Sequence, residues 1–437
     1  MANSPSDLPT ATSDLPSEMT IEILSRLPVK SLLRFKSVCK TWYDLIETPD
    51  FISKHLQTQS TLNPPSVLVT SYHRETQKHT ASLFFNVGFI NGAVNLDFPL
   101  LDRIDSKNSG RRRFPVSVGT CNGLVCISLS HYGFPLILWN PCTRQFREIP
   151  NSEWQWLDDP YPDDNGDKMV DGVSFGFGYH SSANDYKLIR IVVYSRPERF
   201  FVRADLYTMS TETWREIDVD KLSVFFQNDF GGVGTVVLIR GAAPAMLNGV
   251  FYWRGCIIST YASEQIEGQE IVMSFDMADE VFRKIRMPVC GDYTWDQSIL
   301  WQIIELKDKL AVFIYPDDKC CDVWMLNEDQ SSWTNQFKIG SFPWTGHYMG
   351  AYEKCEISIV GCAKNGELVV VDHKASGDFK LFSYDLKTRD TADLYFGWFP
   401  YRCGIYLYTG TLLPVMETNE VVLNKNHTKK EAWNLWN

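Results

Sequence analysis

The chain has 437 residues, room for two or three domains of about 150 residues each, or for one large β domain and a small companion. Hydrophobic residues make up 44% and charged residues 22%, which excludes disorder as the dominant state. The net charge of −11 removes the bulk phosphate attraction that dominates nucleic-acid binding, so no nucleic-acid partner is expected.

Residues 1–12 carry no apolar run and hold Asp7, so a flexible N-terminus without a secretory signal is expected there. Residues 13–55 read as three short helices. Ser13 or Asp14 can cap the first, and Pro16 suits its opening turn. Met19, Ile23, Leu24 and Leu27 recur at helical spacing. Pro28 stops that helix and can open the next. Val29, Leu32, Leu33, Phe35, Val38, Cys39, Trp42, Leu45 and Ile46 continue the apolar pattern, and Pro49 ends it. Lys30, Arg34, Lys36 and Lys40 make the polar face basic. A module this short cannot hide all its apolar residues within itself. The helices either pack on the rest of the chain or offer an apolar patch to another protein.

The string Leu15-Pro16-Ser17-Glu18, Ile23 to Lys36, Val38-Cys39-Lys40-Thr41-Trp42, Leu45-Ile46 and Pro49-Asp50-Phe51 resembles an F-box in its plant form. That resemblance implies a docking module for the Skp-type adaptor of cullin–RING ubiquitin ligases. By position it implies that Leu15, Pro16, Ile23, Leu24, Leu27, Pro28 and Trp42 lie at or under the adaptor interface. Leu33, Val38 and Trp42 also suit an internal core.

Residues 56–65 are expected to be a linker. From Ser66 the periodicity changes to short β-branched and aromatic runs between Gly, Asn, Asp and Pro turns, the pattern of an all-β sandwich, barrel or propeller. The 14% aromatic content leans the same way. Five hairpins align, beginning at Trp139, Tyr207, Phe275, Trp324 and Tyr384. Each is an aromatic strand end, a polar turn and a second strand. Their second residues are Asn140, Thr208, Asp276, Met325 and Asp385, so the unit recurs at 49 to 68 residues. A second kind of hairpin alternates with them, at Asn122-Gly123, Asn248-Gly249, Lys307-Asp308 and Asn365-Gly366. Two hairpins per unit make four-stranded sheets, and the repeat predicts a kelch-type β-propeller of about six blades, with five or seven as alternatives. The hairpin aromatics are expected to pack blade against blade.

This half is similar to the kelch-like domain found behind plant F-boxes. Cys121-Asn-Gly-Leu, Trp139-Asn-Pro-Cys-Thr-Arg, Phe175-Gly-Phe-Gly-Tyr, Asp185-Tyr-Lys-Leu-Ile-Arg and Cys320-Cys-Asp-Val-Trp-Met-Leu carry the resemblance. The expected fold is therefore α+β multidomain: a three-helix F-box, then an F-box-associated propeller over residues 66–425. A polar tail at 426–437 holds Trp433 and Trp436.

No other constellation carries chemistry. Gly176-Phe-Gly178 lacks the third glycine and the helix of a dinucleotide site. The acidic stretch Asp158 to Asp171 has Tyr161, and Gly172 just after it, where an EF-hand needs acids. The eight His are dispersed, and the 11 Cys contain no CxxC, so buried thiols in a reducing compartment are expected. The longest apolar stretch, Val233 to Leu247, is broken by Arg240 and Pro244, so no membrane span is expected. No metal and no cofactor is implied.

Propellers bind through loops on a rigid scaffold. The longest insertion, Asn151 to Gly172, offers Trp154, Trp156 and Tyr161 beside several Asp. The loop Phe342 to Met349 offers Trp344, His347 and Tyr348. These six are the candidate residues for holding an unknown protein substrate. The resemblance then implies a non-catalytic adaptor in the cytoplasm, the nucleus or both, bringing a target to a ubiquitin ligase. The alternatives are a kelch-type metal oxidase, which needs clustered Tyr, His and Cys ligands, and an F-box scaffold acting outside degradation.

Overall fold

In the computed structural model, the described residues are 15–62, 66–73, 78–84, 93–96, 116–128, 135–152, 169–196, 199–218, 234–238, 244–259, 268–288, 300–315, 320–340, 356–363, 366–373, 378–398 and 403–415. Ser13 and Asp14, the expected caps, lie outside them.

Four helices come first: α1 (Ser17–Ser25), α2 (Val29–Phe35), α3 (Lys40–Ile46) and α4 (Pro49–Leu62). Prolines open three of them. Pro16 and Pro28 sit in extended or near-extended backbone at the N-cap positions of α1 and α2, with no side chain capping either helix. The Cys39 thiol accepts the Trp42 amide at the start of α3.

The fourth helix corrects the expectation that Pro49 ends the helical run, and it covers residues 56–62 of the stretch expected to be a linker. Thr48 Oγ1 accepts the Phe51 amide at 3.3 Å, and Pro49 takes the first helical position. There a proline costs nothing, because that position's N–H would have no partner in the helix. The helix then runs to Leu62, and Phe51, Ile52, His55 and Gln59 bury along it at helical spacing.

The rest is a ring of six antiparallel sheets, which settles the blade number at six. Blade 1 begins with β1 (Ser66–His73), β2 (Lys78–Phe84) and β3 (Ala93–Leu96). Blade 2 is β4 (Val116–Cys121), β5 (Leu124–Ser128), β6 (Leu136–Asn140) and β7 (Gln145–Ile149). Blade 3 is β8 (Met169–His180), β9 (Asp185–Arg196), β10 (Arg199–Thr208) and β11 (Thr213–Ile217). In blade 4, β12 (Gly234–Leu238) and β13 (Ala245–Leu247) share one edge of β14 (Val250–Ser259), followed by β15 (Gly268–Asp276) and β16 (Val281–Arg286). Blade 5 is β17 (Leu300–Leu306), β18 (Lys309–Tyr315), β19 (Cys321–Leu326) and β20 (Trp333–Ile339). Blade 6 is β21 (Glu356–Cys362), β22 (Glu367–His373), β23 (Asp378–Asp385) and β24 (Thr391–Trp398). The last strand, β25 (Cys403–Tyr408), returns to blade 1 and pairs with β1, Val67 opposite Leu407. The ring is thus closed by one strand from the far end of the domain.

The five aligned hairpins are the outer hairpins of blades 2 to 6. Their aromatics do pack blade on blade. Trp139, Tyr207, Phe275, Trp324 and Tyr384 each join the apolar cluster shared with the preceding blade. A sixth cluster, built on Val67, Val69, Val369 and Val371, joins blade 6 to blade 1. The core therefore lies between blades. Strands such as β5 and β6 are buried at every position, since both of their faces meet a neighbour.

Candidate functional site

The helical module has two faces of different character. Leu24, Val29, Leu32, Ile46, Phe51 and Ile52 form its interior, closed by Leu412 from the segment after β25. Cys142, in the blade 2 outer hairpin, and Leu413 pack against the same cluster. Of the two routes the sequence left open, packing on the rest of the chain accounts for this face.

The other face is exposed among the described residues. Leu15 is 58% exposed, Met19 53% and Ile23 48%. Met19 and Ile23 are four residues apart and share one face of α1, and Leu15 lies just before the N-cap of that helix, so the three make an exposed apolar stretch at its start. Val38 and Tyr43 are exposed as well. The stretch is held on a braced helix. Arg26 donates two hydrogen bonds to Glu22, and Lys54 of α4 pairs with the same carboxylate at 3.0 Å. The Arg26 guanidinium first, then the Lys54 ammonium, hold the Glu22 carboxyl below its ordinary range. Beneath, His55 and Gln59 reach the Leu27 carbonyl at the α1–α2 turn.

These positions sort the seven residues assigned to the adaptor interface. Leu15, Pro16, Ile23 and Pro28 are exposed. Leu27 and Trp42 are partly buried against the interior cluster, Trp42 with its ring 5.3 Å from that of Phe35. Leu24 is 2% exposed, so it supports the surface from below and has no direct contact to offer. The reason is rotation. Leu24 follows Ile23 by about 100° around the helix and faces α4, a helix the sequence reading had not anticipated. Met19 shares this exposed face with Ile23; it was placed at helical spacing in the sequence but not among the residues assigned to the interface.

Trp154, Trp156, Tyr161, Trp344, His347 and Tyr348, the candidate substrate-holding residues, lie outside the described residues. The start of the longest insertion is visible. Ser152, which leads into it, is buried and donates to Asp205 at 2.6 Å.

In five of the described thiols burial disfavours the thiolate, the nucleophilic form. Burial pushes Cys121 up to about 12 and Cys362 up to about 11. It also raises Cys126, Cys142 and Cys321. Among the described residues no three His, Cys, Asp or Glu side chains come together as metal ligands. No helix among them is long and apolar enough to cross a membrane.

A small four-helix module that leaves apolar side chains exposed and is seated on a six-bladed propeller defines a two-part class of protein, helical head and β ring. The chain belongs to the family of F-box proteins that carry an F-box associated β-propeller domain. The F-box domain matches residues 12–54, and the F-box associated beta propeller domain matches residues 67–399. An F-box/kelch-repeat protein of Arabidopsis thaliana is 29% identical over 75% of this chain and 79% of its own length. A second Arabidopsis thaliana F-box protein is 23% identical over 91% of both chains. The Arabidopsis thaliana F-box protein CPR1 is 28% identical over 74% of this chain and 73% of its own. Among solved structures, a fucose-specific lectin from Aleuria aurantia aligns at TM-score 0.36 and 9% identity, over 79% of this chain and 97% of that one, a likeness that carries nothing about function.

Proposed function

We propose that this F-box protein is the substrate-recognition subunit of a Skp–cullin–RING ubiquitin ligase. The exposed α1 stretch docks on the Skp-type adaptor, and propeller loops hold a target protein. Ubiquitin is then transferred by another subunit. The chain performs no bond chemistry of its own. It contributes proximity, raising the effective concentration of target lysines near the conjugating enzyme. Such a protein works in the cytoplasm, the nucleus or both.

The observation that supports this reading best is the two-sidedness of the F-box. One face is committed to the propeller, while Leu15, Met19 and Ile23 remain exposed on a braced helix. Exposed apolar side chains on a rigid surface are what a desolvated interface centre requires. The test is capture of a plant Skp-type adaptor by the full chain and by a Leu15→Asp, Ile23→Asp variant. Both positions are exposed, so the variant is expected to keep its fold and lose the adaptor. Undiminished capture by the variant would sink the proposal.

A further inference from the structure

The Trp139-Asn140-Pro141-Cys142-Thr143 string reads as an ordinary hairpin turn in the sequence, and half of it is one. The Asn140 Oδ1 accepts the amides of Cys142 at 3.0 Å and Thr143 at 3.2 Å. The same turn recurs in two other blades with an aspartate. Asp276 Oδ1 accepts from Ala278 and Asp279, and Asp385 Oδ1 from Lys387 and Thr388. The turn needs only an acceptor, and a carboxylate supplies it.

Blade 2 uses an amide, and its other end is occupied. Asn140 Nδ2 donates to the carbonyls of Thr411 at 3.1 Å and Leu413 at 2.8 Å. These contacts fix the orientation of the amide, because only one assignment of O and N gives two accepted and two donated bonds. The group is fully buried. Thr411 and Leu413 belong to the strap that follows β25, residues 409–415. The strap runs between the blade 2 turn and the F-box. A Cβ added at Gly410 would stand 3.0 Å from Cys142 Sγ and 3.5 Å from Val29 Cγ2 of α2. Between the two carbonyls that Asn140 holds, Leu412 inserts its side chain into the F-box interior beside Leu24, Leu32 and Ile46. The Val415 amide closes the strap onto Gln145 Oε1 at 3.4 Å.

We propose that Asn140 and the 409–415 strap form a fixed joint that sets the orientation of the propeller relative to the F-box. Asn140 is a positioning residue. Its acceptor half builds the blade turn, and its donor half clamps the strap whose Leu412 plugs the F-box. If the adaptor reading above holds, this joint also fixes where a propeller-bound target sits relative to the transferring enzyme, since proximity acts only at a defined geometry.

Asn140→Asp separates the two halves. The carboxylate can still accept from Cys142 and Thr143, as Asp276 and Asp385 do in their own turns. It cannot donate, and it would set negative charge against two carbonyl oxygens. Energy transfer between fluorescent amino acids placed at the exposed positions Ser53 on α4 and Ser331 on blade 5 reads the joint in the full chain, with no partner present. The wild type and an Asp276→Asn control are expected to give one narrow distance distribution. Asn140→Asp and, independently, Leu412→Ser are expected to broaden or shift it. Wild-type distributions for both variants would overturn the joint, as would equal broadening by the Asp276→Asn control. Should Asn140→Asp fail to fold, Leu412→Ser decides alone. Adaptor capture is measured separately on the wild-type chain, and its absence would count against the ligase reading and not against the joint.

Discussion

His55 Nε2 lies 2.9 Å from the carbonyl oxygen of Leu27, and through it α4 is tied to the turn that joins α1 to α2. The contact requires the proton on Nε2, because a carbonyl can only accept. Nδ1 is then bare, fully buried and without a hydrogen-bond partner among the described residues.

Burial disfavours the charged imidazole and lowers its proton affinity in the folded protein, with the Leu27 bond opposing in part. A folded affinity below the unfolded one means that the unfolded chain binds more protons. Stability is therefore complete above the unfolded value of about 6.5 and is lost as pH falls below it. The helical far-ultraviolet signal of the full chain should lose urea resistance from neutral towards mildly acidic pH. His55→Gln, which cannot charge, should flatten that slope whatever it does to the baseline. An unchanged slope in the variant would show that another group governs the acid response.

Ile23 and Leu24 are adjacent in sequence and opposite in role. Leu24→Ala empties a site inside the F-box and is expected to cost about 2–5 kcal/mol. Ile23→Ala removes an exposed side chain and is expected to stay within about 0.5 kcal/mol of wild type. Adaptor affinity should move the other way, with Ile23→Ala weakening capture in a chain of full stability. Denaturation midpoints and binding constants measured on the same two preparations check both statements.

Much of this architecture was readable beforehand, for physical reasons. Turn chemistry is local, so Asn122-Gly123 and the five outer hairpins marked the blades correctly. The aromatic ends were placed correctly too, because a strand buried on both faces needs large apolar side chains. What was not readable depends on distance along the chain. Asn140 and Thr411 are 271 residues apart, and nothing near Asn140 shows what its second donor holds. The closing pair of β25 with β1 is hidden for the same reason. Pro49 was misread because a proline after a threonine ends one helix and starts another with equal ease. The candidate loop residues around Trp154 and Trp344 lie outside the described residues, so their part of the site rests on sequence.

Gly123 and Gly249 occupy equivalent tight turns in blades 2 and 4, with φ of +76° and +80°. Alanine at either position is strained by the backbone, at about 1–3 kcal/mol. Only at Gly123 does the new methyl also collide, with the Thr409 carbonyl oxygen at the start of the strap. At Gly249 the nearest atom is Met277 Cε at 3.9 Å. Gly123→Ala is therefore expected to destabilise clearly more than Gly249→Ala, and thermal unfolding of the two variants side by side checks the order.

Arg190 and Asp205 stand directly opposite each other on β9 and β10, and both are buried. Arg190 Nη2 and Nε reach the two carboxylate oxygens at 2.9 and 3.2 Å. Ser152, arriving from blade 2, donates to the same carboxylate and accepts from Arg190 Nη2 at 3.2 Å. The pair thus joins two blades at the root of the longest insertion. Removing one partner strands a charge that water cannot reach, so Asp205→Ala is expected to cost about 3–5 kcal/mol. Replacing both charges with apolar groups of similar volume, Arg190→Met with Asp205→Leu, should recover most of that loss, because neither desolvation penalty then remains. Urea denaturation of the single and double variants measures the difference. A double variant as unstable as Asp205→Ala would mean that the site depends on the hydrogen bonds to Ser152 more than on the charge pair.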